Sequence, residues 1–138
     1  MKFLKNIFKL STMLIALLLS IGELCQAQTK NTPIAEFDMV SYDFGEILQG
    51  KETEVIFTVT NKGDIPLIIE DINVSCGCML IDWAKDPILP GQSSKIIVKY
   101  NTNIVGSIKR SIVVNTNDRR NDRILLMLTG DVVSSYED

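Results

Sequence analysis

From Glu52 to Asn61 the chain broadly alternates between polar and apolar residues. Val55, Phe57 and Val59 fall on one side, Glu54, Thr58 and Thr60 on the other. A period of two is the mark of a strand with one face buried. The pattern returns in Lys95–Asn101 (Ile96, Val98, Tyr100), in Ser107–Asn115 (Ile112, Val114) and in Arg123–Val133 (Ile124, Leu126, Leu128). No stretch after residue 30 carries a 3.6-residue apolar period long enough for a sizeable helix. The turn signals between the apolar runs come about every ten residues: Gln49-Gly50, Asn61-Lys62-Gly63-Asp64, Pro87–Gly91, Gly106 and Asn115–Asp122. About seven short strands so punctuated predict an all-β fold, an immunoglobulin-like β-sandwich over residues 34–133.

Some local readings refine this. Leu67–Val74 is a strand in which Glu70-Asp71 breaks the alternation, predicting a bulge. Met79–Trp83 reads as a strand on a sheet edge. Two prolines as close as Pro87 and Pro90 cannot sit inside a central ladder, so that segment is irregular. Leu125 and Met127, apolar on the second face of the last strand, predict a central strand or a covered surface.

The first 27 residues are of another kind. Lys2, Lys5 and Lys9 precede an apolar run from Leu10 to Ile21, and Cys25-Gln26-Ala27 offers a small residue for cleavage. That order reads as a signal peptide (1–27); the run is shorter than the roughly 20 residues a spanning helix needs. Lipid attachment at Cys25 is the less favoured alternative, because Glu23-Leu24 replaces the small residues expected before such a cysteine. Residues 28–33 then form a flexible lead-in, and 134–138 an acidic, solvated tail. The expected location is the periplasm or surface of a Gram-negative-type bacterium, with no integral membrane segment after cleavage.

Loss of residues 1–27 removes Lys2, Lys5, Lys9 and Glu23, so 11 basic face 16 acidic residues and the formal charge moves from −3 to −5. A net-acidic domain is poorly suited to nucleic acid or anionic membrane surfaces. The chain has no histidine, which removes Ser-His-Asp and Cys-His catalysis and histidine-ligated zinc. The carboxylates Asp82 with Asp86, and Glu70 with Asp71, read as solvated faces. Asn117, Asp118, Asn121 and Asp122 lack the ligand order of an EF-hand and read as a polar hairpin, with Arg119, Arg120 and Arg123 an exposed basic spot. No catalytic residue and no resident cofactor is assigned.

Cys76 and Cys78 remain. In an extended strand their Cα atoms would lie about 6.6 Å apart, at about 3.3 Å per residue, the upper edge of the disulfide range; Gly77 permits the kink a bridge needs. A ring of about three residues contributes only about 1.6 kcal/mol by loop entropy, so local geometry or reactivity is the better reason for the spacing. Four uses stay open. The pair is a disulfide pinning a turn, a redox-active pair, a soft-metal site in which the thioether of Met79 joins two thiolates to suit Cu(I), or free buried thiols. Nothing cationic in the adjacent sequence lowers the thiol pKa values.

The ordered set Asp43-Phe44-Gly45, Asn61-Lys62-Gly63, Pro66-Leu67, Ser75-Cys76-Gly77-Cys78, Pro87–Gly91, Gly106 and Leu128-Thr129-Gly130-Asp131-Val132 resembles a bacterial domain-of-unknown-function family. Its members are exported immunoglobulin-like domains with a Cys-Gly-Cys motif, similar in turn to hydin-type and major-sperm-protein-type sandwiches. The resemblance spans about residues 37–133 and implies a fold and a compartment rather than a reaction. The family usually has threonine where this chain has Met79. The function expected on these grounds is a non-enzymatic module binding another protein in the cell envelope; the alternative is thiol–disulfide or Cu(I) handling through Cys76 and Cys78.

Overall fold

The computed structural model describes residues 1–19 and 31–134. The cleavage site after Ala27, the lipidation candidate Cys25, half of the 28–33 lead-in and most of the tail lie outside the described residues.

Helix α1 covers Lys2–Leu19. Among the described residues no helix is long and apolar enough to cross a membrane. Eight strands follow, one more than the pattern predicted: β1 (Ala35–Phe37), β2 (Ser41–Leu48), β3 (Glu54–Asn61), β4 (Ile69–Val74), β5 (Met79–Trp83), β6 (Ser93–Tyr100), β7 (Gly106–Thr116) and β8 (Arg123–Val133). They form two four-stranded sheets, ordered β1-β3-β6-β5 and β2-β8-β7-β4. The sandwich expected from the alternation is therefore present.

Its core is the sum of the alternating rows. Phe57 and Val59 from β3, Ile96 and Val98 from β6, Ile112 and Val114 from β7, and Leu126 and Leu128 from β8 are all fully buried. Cross-strand pairing keeps each row in one layer: Val55 faces Val98, Phe57 faces Ile96, and Ile112 faces Leu126. The expected bulge on β4 falls between Ile69 and Asp71. β5 is an edge strand, paired with β6, and β8 is central, between β2 and β7.

β2 runs parallel to β8, with a register shift between Asp43 and Glu46. The Asp43-Phe44-Gly45 segment makes this bulge, and the Asp43 carboxylate accepts the Gly45 N–H at 2.9 Å. It presses on Gly130, where an added Cβ would stand 2.9 Å from the Gly45 carbonyl and 3.1 Å from Phe44 Cβ. Two motifs 85 positions apart thus share one contact.

The two ends of the sandwich differ. At one end a set of buried polar side chains ties the loops. Asn61 ends β3 on its core face and opens the turn that follows: its Nδ2 donates to the carbonyls of Ile65 (2.7 Å) and Ile88 (2.9 Å). Its Oδ1 accepts from Ile34 (3.3 Å) and Gly63 (2.9 Å). Asn117 Oδ1 accepts from Ile68, and its Nδ2 donates to Pro66 O. The other end carries the β2–β3 turn, the β6–β7 loop and the cysteine connector.

Candidate functional site

Residues 75–78 carry the chain from β4, an edge of one sheet, to β5, an edge of the other. The connector is hydrogen-bonded at both ends. The Ser75 N–H donates to Ser111 O at 3.1 Å, and the Ser111 N–H donates back to Ser75 Oγ at 3.2 Å. On the far side the Asn101 N–H donates to Cys78 O at 2.8 Å. The β6–β7 loop is bound in turn to the β2–β3 turn, through Gly50 N–H to Thr102 O (3.1 Å) and Gln49 Nε2 to Asn103 O (2.7 Å).

Between those anchors Cys76 and Cys78 come together. Their Cα atoms are 5.3 Å apart and their sulfurs face each other in bonding contact, so the connector has shortened from the extended 6.6 Å or so into the middle of the disulfide range. The Cys78 N–H also donates to Cys76 Sγ at 3.4 Å. Both residues are half-buried against the core. Gly77 does not take a positive φ, and a Cβ there would meet nothing within 4 Å; the outer side of the connector is open.

Met79 follows the cysteines directly in the chain. It is 6% exposed and belongs to the core, opposite Tyr100. Tyr100 lies against Phe44 at 6.5 Å between ring centroids, and Phe44 against Tyr42 at 5.0 Å edge-on. Of the apolar β5 side chains it is Leu80, at 74% exposure, that reaches solvent.

The remaining candidates resolve as solvent-facing or structural. Glu70, Asp71, Asp82 and Asp86 are exposed. Asp118 is buried, its carboxylate accepting from the backbone of Ala35 and Arg120 and pairing with Arg120 Nε at 3.5 Å. Asn121, Asp122, Arg119 and Arg123 are exposed, as is Arg120 apart from its contact with Asp118. Among the described residues no three His, Cys, Asp or Glu side chains cluster to hold a metal.

Sequence reading by neighbours missed one residue at this end. Ile108, Arg110, Ile112 and Val114 share parity on β7, so Arg110 stands in a core-facing row. Its cross-strand partner is the fully buried Leu128. The signal was present as an arginine in phase with an aliphatic row.

A family model described as "Protein of unknown function (DUF1573)" matches residues 35–132. The chain belongs to that family. No curated protein matches it in sequence. A protein of unknown function from Porphyromonas gingivalis W83 is similar in structure, with a TM-score of 0.68 at 16% identity, over 80% of this chain and 51% of that one. PapD-like domain 7 of human CEP192 aligns with a TM-score of 0.64 at 11% identity, over 84% of this chain and 97% of that one. The VesB protease of Vibrio cholerae gives 0.61 at 14% identity, over 71% of this chain and 32% of that one. The chain thus spans about half of the first protein and about a third of the protease. These likenesses show an immunoglobulin-like, PapD-like fold.

Proposed function

We propose that this chain is an exported, non-enzymatic immunoglobulin-like module that docks another protein in the cell envelope. In this reading residues 1–27 are the export signal and 34–133 the working domain. The observation that carries it is the β5 edge. Among the described residues β5 pairs with β6 alone, so its other flank offers backbone N–H and C=O groups to an incoming strand. Leu80 projects beside that flank at 74% exposure. Charged residues that blunt an edge are sparse here, Asp82 being the one acidic residue within Met79–Trp83. Leu125 at 52% exposure offers a smaller apolar point on the outer face of the second sheet.

Crosslinking in the native envelope tests the reading. The unmodified domain captures a partner; Leu80→Glu loses at least about tenfold of the yield, because a charge on that flank opposes strand addition, while Leu125→Glu keeps it. A domain that stays monomeric and captures nothing overturns the reading. The thiol half of the alternative is favoured by a specific observation, the position of Arg110. The copper half is weakened by Met79, whose thioether is spent in the core.

A further inference from the structure

The inward row of β7 contains one charged side chain among aliphatic ones, and its surroundings leave it unsatisfied. Arg110 is half-buried, with its Nε shielded from solvent and lacking a hydrogen-bond partner. Neither ion pair among the described residues involves it. A buried donor with no acceptor is uncommon enough to require a reason.

The register of β4 against β7 supplies one. Ile72 faces Val114 and Val74 faces Ile112; beyond the end of β4, Ser75 stays beside Ser111 through one backbone bond and one bond to its own hydroxyl. The same register, carried one step further, would set Cys76 near Arg110. The donor that the Cys76 sulfur has is the Cys78 N–H, 3.4 Å from Cys76 Sγ. That N–H, and a guanidinium brought up from β7, would both favour negative charge on Cys76 rather than on Cys78. A bridged sulfur is a weak acceptor, whereas a thiolate is a strong one. Reduction would therefore offer the unsatisfied Arg110 Nε a partner.

We propose that Cys76–Cys78 is a thiol-exchange centre for partners carrying cysteine thiols, with Arg110 stabilising Cys76 as the leaving thiolate. The partner thiolate attacks Cys78 Sγ from the open side of Gly77. A partner–Cys78 bond forms, the Cys76–Cys78 bond breaks, and its electron pair stays on Cys76 Sγ beside Arg110. A second thiolate of the partner then attacks the partner's own sulfur in the mixed disulfide. Cys78 departs as a thiolate and takes up a proton. The partner dithiol has lost two electrons, which the cysteine pair has gained. A lower leaving-group pKa speeds the first step.

The other titratable groups at this end are the hydroxyls of Tyr100 on β6 and Tyr42 on β2, on the inward side. Lys99 and Glu54 pair with each other outside the first sheet at 3.8 Å. Lys109 and Asp131 lie on the outer face of the second sheet, and Lys51 and Glu52 in the β2–β3 turn, all exposed. No carboxylate belongs to the inward row to cancel the guanidinium.

The test uses glutathione and an alkylating agent, neither of which needs a docking face, so it is decided independently of the β5 reading. In the reduced domain, peptide-resolved alkylation against pH gives Cys76 a midpoint at least about one unit below the ordinary thiol value, and Cys78 a higher one. Arg110→Met raises the Cys76 midpoint by about one unit and slows opening of the oxidised pair by glutathione about threefold, whereas Arg110→Lys restores part of both. Circular dichroism checks that the variants fold; if Arg110→Met does not, the order of the two midpoints in the unmodified chain decides. Two ordinary midpoints, or a folded Arg110→Met with unchanged midpoint and rate, overturn the assignment.

Discussion

Asp118 Oδ2 accepts the backbone N–H of Ala35 at 3.1 Å, across 83 residues of sequence. The same carboxylate accepts the Arg120 N–H at 3.1 Å, and the Asp118 N–H donates to Thr116 Oγ1 at 3.2 Å. Asp118 is 1% exposed, so each of these bonds stands in for water that cannot reach it. The β7–β8 loop thereby holds the first strand of the domain in place.

Removing that carboxylate leaves two backbone donors without an acceptor. Asp118→Ala is expected to cost about 3 kcal/mol, since bonds to a charged acceptor contribute about 1.5–3 kcal/mol and orphaned donors add their own penalty. Asp118→Asn, which keeps one acceptor oxygen, costs less. Urea unfolding of the two variants checks the order, and equal losses would contradict it.

Asn61 makes a sharper case, because its amide is used in full. Oδ1 takes two N–H groups, and Nδ2 gives to two carbonyls. Asn61→Asp replaces the double donor by a second acceptor facing the carbonyls of Ile65 and Ile88. It is expected to destabilise by at least about 3 kcal/mol, more than Asn61→Ala, despite being the closer isostere. Equilibrium unfolding of both variants measures the difference.

Much of this was written in the chain as parity. Asn61 continues the row Val55, Phe57, Val59, and Arg110 lies in the row Ile108, Ile112, Val114; each is a polar residue in a core phase, which demands a partner. The layers followed from the same period of two, and the edge strand Met79–Trp83 from a short apolar patch. Parity does not show which loops meet beyond a strand's end. The bond from Ala35 to Asp118 and the bulge of Phe44 and Gly45 against Gly130 both depend on strand order. Local composition carries no trace of that order, because any pair of edges satisfies the alternation equally well. A cation near the thiols is not visible in their own segment for the same reason: the one proposed for them lies on a strand more than thirty residues downstream.

The glycines separate by space rather than by sequence context. A Cβ on Gly63 would stand within bonding reach of the Thr32 carbonyl and 2.7 Å from the Ile34 nitrogen, where the Lys62 N–H donates to Ile34 O at 2.9 Å. Gly63→Ala must push the 32–34 segment off β3, and is expected to cost about 2 kcal/mol or more. Gly77→Ala meets open space at an unstrained φ and stays within about 0.5 kcal/mol of the parent. Thermal unfolding of the pair distinguishes a steric glycine from one that only keeps the approach to the cysteines clear.

The last expectation concerns the cysteines as a staple. Ser75 and Cys78 are already tied to Ser111 and Asn101 by backbone bonds, so the connector holds its path without help from the sulfurs. A closed ring of about three residues restrains the unfolded chain by only about 1.6 kcal/mol. Replacing both Cys76 and Cys78 by serine should therefore lower stability by no more than about 2 kcal/mol and leave the sandwich intact, as judged by urea unfolding and circular dichroism. The same variant should lose all reaction with glutathione. A loss of about 4 kcal/mol or more would place the pair among structural bridges and remove the reason to look for chemistry there. A small loss leaves reactivity as the property that the Cys-Gly-Cys spacing, the open side of Gly77 and the unpartnered Arg110 have in common.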